Sequence, residues 1–277
     1  MTTLSIVVPC YNEEEVLPET NKRLLSLLDH LQDQGKVSID SRIHFIDDGS
    51  RDRTWELIEE QSAHDSRIHG IKLSRNWGHQ NALLAGLLTV DGDAVVSVDA
   101  DLQDDISVIE NMVDAYHDGK DVVYGVRKER ATDTLFKRGT AEIYYNLLKW
   151  AGVSVVFNHA DYRLMSRRAL ETLKEYNEVN LYLRGIIPTL GFQSSVVTYN
   201  RNERFAGESK YPLRKMLALA INGITSFTAF PLRMIAVLGI TLFLFSLMIS
   251  VWVIWVRFVS GGPNETCTEP LSLAVEQ

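Results

Sequence analysis

Asp99 and Asp101 stand two positions apart in Val95-Val96-Ser97-Val98-Asp99-Ala100-Asp101-Leu102-Gln103-Asp104, where an apolar strand gives way to carboxylates. On an extended backbone, alternate side chains share a face, so this spacing predicts that both carboxylates point the same way. Gln103 would add a neutral oxygen from that side. Carboxylates held together repel unless a cation lies between them, and oxygen ligands suit a hard divalent ion such as Mg2+ or Mn2+. In isolation the same pattern also fits a solvated acidic loop. What separates the two is what the rest of the chain brings beside it.

Three earlier stretches end in the same manner. Leu4–Pro9 runs as an apolar strand into Cys10-Tyr11-Asn12-Glu13, Ile43–Ile46 into Asp47-Asp48-Gly49-Ser50, and Ile68–Leu73 into Ser74-Arg75-Asn76-Trp77-Gly78-His79-Gln80. Between them, helical patterns are expected over Val16–Leu31, with Pro18 in the first turn, over Thr54–Ala63 and over Asn81–Leu88. Strand alternating with helix at this spacing predicts an α/β fold, a mostly parallel sheet covered on both faces. In such sheets ligands bind beyond the carboxyl ends of the strands, where all four polar clusters would gather. Tyr11 suits stacking on a base, Glu13 and Asp48 suit accepting hydrogen bonds from base or ribose, and Arg75 suits a phosphate or base. No Gly-x-Gly-x-x-Gly follows the first strand and no Gly-x-x-x-x-Gly-Lys occurs, so neither a dinucleotide fold nor a P-loop is supported.

Further along, a helix is expected over Ile106–Tyr116 and a strand over Asp121–Val126, ending at Arg127. A charge-rich loop over Lys128–Arg138 and an apolar-faced helix over Thr140–Trp150 follow. Asp161 and Arg163 alternate in Asp161-Tyr162-Arg163-Leu164-Met165, and Val196–Tyr199 reads as a late edge strand leading to Arg204, Ser209 and Lys210. Singly, Arg127, Arg138, Arg204 and Lys210 fit a solvated surface; together around one site they would receive a second anion.

The chain has 277 residues, 45% hydrophobic and 23% charged, with a formal charge of −8. That balance speaks against a general nucleic-acid binder, which carries a basic footprint. Cys10 and Cys267 are the only cysteines and make no disulfide framework, which fits a reducing compartment. Met1–Ser5 has neither the basic nor the apolar region of a signal peptide. Met234–Val256 carries no charge, is bracketed by Arg233 and Arg257, and is long enough to span a bilayer as a helix. Before it, Leu213, Met216, Leu217, Ala220, Ile221, Ile224 and Phe227 fall at helical spacing, as in a helix lying on the membrane surface. Arg214, Lys215 and Arg233 precede the span and only Arg257 follows it, which places the large N-terminal part in the cytoplasm. The expected organisation is a catalytic domain over 1–205, a juxtamembrane segment over 206–233, a span over 234–256 and a polar tail over 257–277.

Pro9-Cys10-Tyr11-Asn12-Glu13, Asp47-Asp48-Gly49-Ser50, Ser74–Gln80, Asp99-Ala100-Asp101-Leu102-Gln103, Asp161–Met165 and Arg204-Phe205-Ala206-Gly207-Glu208-Ser209-Lys210-Tyr211 occur in that order. Over roughly residues 4–256 the chain resembles the GT-A, family 2 polyisoprenyl-phosphate glycosyltransferases, which include bactoprenol glucosyltransferases and dolichyl-phosphate mannose synthases. The resemblance implies inverting transfer of a hexose from a nucleoside-diphosphate sugar, UDP-glucose before GDP-mannose, to a polyprenyl phosphate such as undecaprenyl phosphate, at the inner (cytoplasmic) membrane. It implies that Pro9, Tyr11, Asn12, Glu13, Asp48, Arg75, Asp99 and Ala100 hold the nucleotide sugar and that Asp99, Asp101 and Gln103 hold a divalent metal. Arg127, Arg138, Arg163, Arg204, Ser209 and Lys210 would surround the phosphates, with Asp161, Asp101 and Arg127 closest to the chemistry. Asp161 matches a position often proposed as general base. A phosphate monoester with a second pKa near 6 needs little proton removal at neutral pH, so Asp161 is expected to orient a substrate as much as to abstract a proton. The partners implied are the nucleotide sugar, the lipid phosphate, the membrane and a second copy of the chain. The bacterial branch has a second membrane helix, whereas Gly261–Gln277 is too short and polar to span. A processive polysaccharide synthase would carry Gln-x-x-Arg-Trp, which is absent. A non-catalytic membrane protein that binds nucleotide sugar is the rival from another class.

Overall fold

The computed structural model describes residues 1–127, 159–176, 183–200 and 230–259. In chain order the elements are β1 (Leu4–Cys10), α1 (Leu17–Asp33), β2 (Arg42–Asp47), α2 (Thr54–His64), β3 (Ile68–Lys72), α3 (His79–Thr89) and β4 (Ala94–Ser97). Then come α4 (Val108–His117), β5 (Val122–Arg127), β6 (His159–Ser166), α5 (Arg167–Lys174), α6 (Leu183–Thr189), β7 (Ser194–Tyr199) and α7 (Phe230–Val259).

The strands form one sheet of seven in the order β3-β2-β1-β4-β6-β5-β7. β1 pairs in parallel with β2 and β4, β2 with β3, and β5 with β7. β6 runs antiparallel between β4 and β5, pairing Ser97 with Arg163 on one side and Tyr124 with Arg163 on the other. The sheet is therefore mixed and mostly parallel. The alternating pattern over Asp161–Met165 is the interior of β6, an inserted strand that the strand-helix rhythm of the first hundred residues does not anticipate.

β1 is buried at every position, which is why it reads as a continuous apolar run. Leu4, Ile6 and Val8 join the core beneath Leu24, Leu28 and Leu31 of α1, Ile58 of α2 and Ile109 and Met112 of α4. Val7 points the other way, among Leu83 and Leu87 of α3, Leu170 of α5 and Ile186 of α6. Helices thus cover both faces, and the functional groups are left to the strand ends.

The acidic stretch departs from its expectation. β4 stops at Ser97, and the chain turns through Ala100–Leu102, where Leu102 takes φ 54. A turn, not strand alternation, sets the relation between Asp99 and Asp101. The expected loop over 128–138, the helix over 140–150, the juxtamembrane helix and the tail beyond Val259 lie outside the described residues, as do Arg138, Arg204, Ser209 and Lys210.

The chain divides into two units, Met1–Phe227 and Thr228–Gln277. Within the second, Leu232–Val259 has a mean hydropathy of 2.5 in its most apolar window and is the one helix among the described residues long and apolar enough to cross a membrane. Its Leu, Ile, Val, Phe and Trp side chains are exposed along the whole length, as a lipid-facing helix requires. Thr241 and Ser250 donate their hydroxyls to the carbonyls of Val237 and Ser246, so these polar groups are satisfied inside the helix.

Candidate active site

The carboxyl ends of β1, β2, β4, β5 and β7 lie on the edge of the sheet where antiparallel β6 begins. The loops after β1 and β2 are tied together there. Asn12, at φ 52, receives the backbone N–H of Arg51 on its side-chain oxygen at 2.8 Å and donates its own N–H to Ser50 Oγ at 3.0 Å. The N–H of Glu13 bonds Thr54 Oγ1 at 2.8 Å. Asn12 thus acts as a turn residue, tolerant of the left-handed region and bonding locally through its side chain. Pro9 is buried in β1 opposite Ile46, and Tyr11 and Glu13 are partly exposed beyond it.

Asp48 is buried, and its two oxygens accept the backbone N–H groups of Trp77 at 2.7 Å and Gly78 at 2.9 Å. It anchors the β3–α3 loop. Gly49, at φ 67, makes the approach possible: a Cβ there would fall 2.6 Å from the backbone carbon of Arg75. The Arg75 guanidinium lies over the Trp77 ring at 3.9 Å, leaving a half-exposed cationic and aromatic platform at the rim.

In the acidic turn, Asp101 accepts the Gln103 N–H at 3.1 Å, and Ala100 is buried with its carbonyl bonded by Thr20 Oγ1 at 2.8 Å. The Asp99 carboxyl is pushed up to about 6, first by desolvation and then by the charges of Asp104, Asp161 and Asp101, with His79 opposing. A carboxyl raised by burial and by neighbouring carboxylates, with His79 as the opposing charge, fits a place for a cation. Among the described residues no three His, Cys, Asp or Glu side chains form a ready-made cage. Two carboxylates and an amide oxygen, completed by phosphate oxygens, are the donor set that Mg2+ or Mn2+ takes in nucleotide sites.

Asp161 is the most heavily engaged group on the edge. One oxygen accepts Arg163 Nη2 at 2.5 Å and Arg184 Nε at 3.2 Å; the other accepts Gln80 Nε2 at 2.9 Å and Arg184 Nη2 at 3.1 Å. His79 Nε2 stands 3.5 Å from Asp161 and 3.6 Å from Asp99. Although burial opposes ionisation, the hydrogen bond from His79 and the charges of Arg163 and Arg184 hold this carboxyl well below the usual range. His79, also buried against its charge, is raised because Asp161 and Asp99 outweigh that penalty. Arg163 is fully buried, so the residue expected beside the acceptor phosphate is instead an internal partner of Asp161.

Arg127, the last residue of β5, donates Nη2 to Asp104 at 3.0 Å and Nε to Tyr199 at 3.2 Å. Of the residues expected around the substrates, the described sheet edge gathers Pro9, Tyr11, Asn12, Glu13, Asp48, Arg75, Asp99, Ala100, Asp101, Gln103, Arg127, Asp161 and Arg163. Arg184, Asp104 and the hydroxyl of Tyr199 were not anticipated. Arg184 sits in an undistinguished apolar stretch and Tyr199 looked like plain strand, so only the fold links them to Asp161 and Arg127. His79 and Gln80 were visible as part of a motif but without roles.

The matched family model decides the classification: "Glycosyl transferase family 2" covers residues 5–174, most of the chain. The chain belongs to glycosyl transferase family 2. It is 53% identical over 245 residues to the glycosyltransferase YkoT of Bacillus subtilis (strain 168), covering 88% of this chain and 73% of YkoT. It is 39% identical over 261 residues to the bactoprenol glucosyl transferase of Shigella phage SfV, covering 94% of this chain and 83% of that protein. Among solved structures it is similar to mannosyl-3-phosphoglycerate synthase from Rubrobacter xylanophilus, with a TM-score of 0.55, 16% identity and coverage of 85% and 75%. It is also similar to the mannosyltransferase PcManGT from Pyrobaculum calidifontis in complex with GDP-Man and Mn2+, with a TM-score of 0.50, 18% identity and coverage of 74% and 58%. At those identities the structural likeness speaks for the fold, a GT-A arrangement. The protein is a glycosyltransferase.

Proposed function

We propose that this family 2 enzyme transfers a hexose, with inversion, from a nucleoside-diphosphate sugar to a polyprenyl phosphate, and that its donor is UDP-glucose. The observation that carries the proposal is the acidic turn Asp99–Gln103 beside His79 and Arg184, the partly exposed cationic groups gathered on Asp161. A diphosphate and a second phosphate need both kinds of charge close together. The likeness to phage bactoprenol glucosyl transferases supports the lipid acceptor and the glucose, and the apolar helix α7 supports a membrane-bound acceptor.

Tyr11, Asn12, Glu13 and Asp48 form the nucleoside end, in which Asp48 shapes the pocket by pinning the Trp77–Gly78 backbone and Arg75–Trp77 supplies a flat rim. Asp99, Asp101 and Gln103 would hold a divalent ion, which when bound offsets the charge that builds on the departing diphosphate. Arg127 lies toward the same phosphates from the end of β5. The acceptor phosphate attacks the anomeric carbon; its second pKa near 6 leaves it largely dianionic at neutral pH, so little proton needs removing. Asp161 is unsuited to serve as that base, because its lone pairs already accept from Arg163, Arg184 and Gln80. It orients Arg184 and His79 toward the acceptor instead. Arg138, Arg204, Ser209 and Lys210 belong with the acceptor by the same proposal. The catalytic part, over 1–205, faces the cytoplasm at the inner membrane, with the more basic flank of the span on its side.

The direct test of the donor is a panel of radiolabelled nucleotide sugars presented with undecaprenyl phosphate. UDP-glucose is expected to give the highest kcat/KM for a lipid-linked product. A higher value for GDP-mannose would overturn the donor assignment while leaving the reaction class intact.

A further inference from the structure

Asp104 follows the acidic turn yet faces away from solvent: its side chain is 1% exposed. Its Oδ1 accepts Tyr199 Oη at 2.6 Å, Arg127 Nη2 at 3.0 Å and Arg127 Nε at 3.2 Å. Its Oδ2 is buried without a hydrogen-bond partner. An orphaned carboxylate oxygen costs stability, which makes this buried carboxylate a poor choice for packing alone. Tyr199 also accepts from Arg127 Nε at 3.2 Å. Its ring stands edge-on to Tyr162 at 5.4 Å between centroids, and Tyr162 Oη donates to the Asp105 carbonyl at 2.9 Å. Arg127 and Tyr199 are direct register partners at the ends of parallel β5 and β7. Two segments, carrying Asp104 and Tyr199, therefore converge on the Nε–Nη2 side of the Arg127 guanidinium, whose side chain keeps 27% of its surface exposed.

We infer that Asp104 and Tyr199 are positioning residues: they clamp one side of the Arg127 guanidinium so that the remainder is presented, already oriented, to a phosphate of the substrates. The inference rests on the proposed use of Arg127 at the phosphates. An arginine on a long flexible stem loses conformational freedom when it meets its ligand. A clamp built from a buried carboxylate and a phenol removes that loss before binding. Asp104 also couples the clamp to the acidic turn, since its backbone continues directly from Gln103.

The test is a double-mutant cycle on the full chain in membranes, reading kcat and donor KM for transfer to undecaprenyl phosphate. Tyr199→Phe keeps the ring against Tyr162 and removes only the hydroxyl. It is expected to lower kcat roughly tenfold, as loss of one charge-assisted hydrogen bond allows, in a protein that stays folded with a thermal midpoint lowered by no more than loss of one buried hydrogen bond entails. Asp104→Asn is expected to lower it further. In an Arg127→Ala background, Tyr199→Phe should cause no additional loss, because its effect runs through the guanidinium. An impaired Arg127→Ala enzyme on which Tyr199→Phe takes its full toll again would overturn the clamp alone. Wild-type turnover by Arg127→Ala would overturn both the clamp and the role given to Arg127. Should Asp104→Asn fail to fold, the Tyr199 cycle still decides.

Discussion

At the scale of single residues, the chemistry turns on which carboxylates are committed and which are available. Asp161 is committed. Replacing it with Asn would leave the Arg163 charge buried and without its counter-charge, a change that costs about 3–5 kcal/mol in comparable buried pairs. Asp161→Asn is therefore expected to lower unfolding stability by that order, measured by denaturant titration, and to lose activity without recovering it at pH 8–9. Recovery at high pH would restore the case for Asp161 as a base. Asp99 is available. Its carboxyl is raised to about 6, so without metal the native state holds this proton to higher pH than the unfolded chain does. Stability of the metal-free protein should fall as pH rises from about 4 through about 6. A bound divalent ion favours the carboxylate, so the thermal shift caused by Mn2+ should be larger at pH 7.5 than at pH 5; equal shifts would remove Asp99 from the metal site. The types and order of these residues were legible in the sequence. Their engagement was not: that Arg163 faces Asp161, or that Asp48 faces a backbone loop, depends on β6 and on the approach of two loops far apart in sequence.

Among the elements, the loops after β2 and β3 act as one piece through Gly49 and Asp48. Gly49→Ala would set a Cβ 2.6 Å from the Arg75 backbone at φ 67, so backbone must move. Gly78, at φ 90, has nothing within 4 Å of its would-be Cβ. Gly78→Ala, at φ 90 and ψ 151, should cost about 1–3 kcal/mol of backbone strain alone, whereas Gly49→Ala adds a backbone clash to its strain, should cost more, and should raise the donor KM as the loop shifts. Denaturation midpoints and donor kinetics on the two variants check this, and equal effects would contradict it. Strand-helix alternation made β1 to β4 and their helices legible, because buried parallel strands are apolar throughout. β6 was not legible as part of the sheet. An antiparallel strand slipped between β4 and β5 has no local signature, since its position depends on pairing with residues 33 to 72 positions away. The turn at Ala100–Leu102 was hidden for a different reason: Leu at φ 54 runs against local preference, so strand alternation was extended one step too far.

For the whole molecule, a polar sheet edge and an apolar helix occur in one chain, and the proposed reaction needs both a water-soluble donor and a lipid acceptor. The apolar run was legible from composition alone, and its described helix, Phe230–Val259, reaches beyond the uncharged stretch at both ends. Removing residues 228–277, the second unit, is expected to move the protein from the membrane pellet to the soluble fraction on ultracentrifugation while the sheet remains folded by circular dichroism. Retention in the pellet would assign membrane attachment to the remaining segments. The central claim is that the acidic turn serves transfer of a sugar to a lipid phosphate. The measurement that meets it most directly is formation of radiolabelled polyprenyl-phosphate sugar from UDP-glucose and undecaprenyl phosphate by membranes bearing wild-type or Asp101→Ala protein. The expected result is product with Mg2+ or Mn2+, none after chelation, and none from an Asp101→Ala protein that is folded and membrane-bound. Substantial product from Asp101→Ala, or nucleotide-sugar binding by the wild type with no lipid product, would contradict the account.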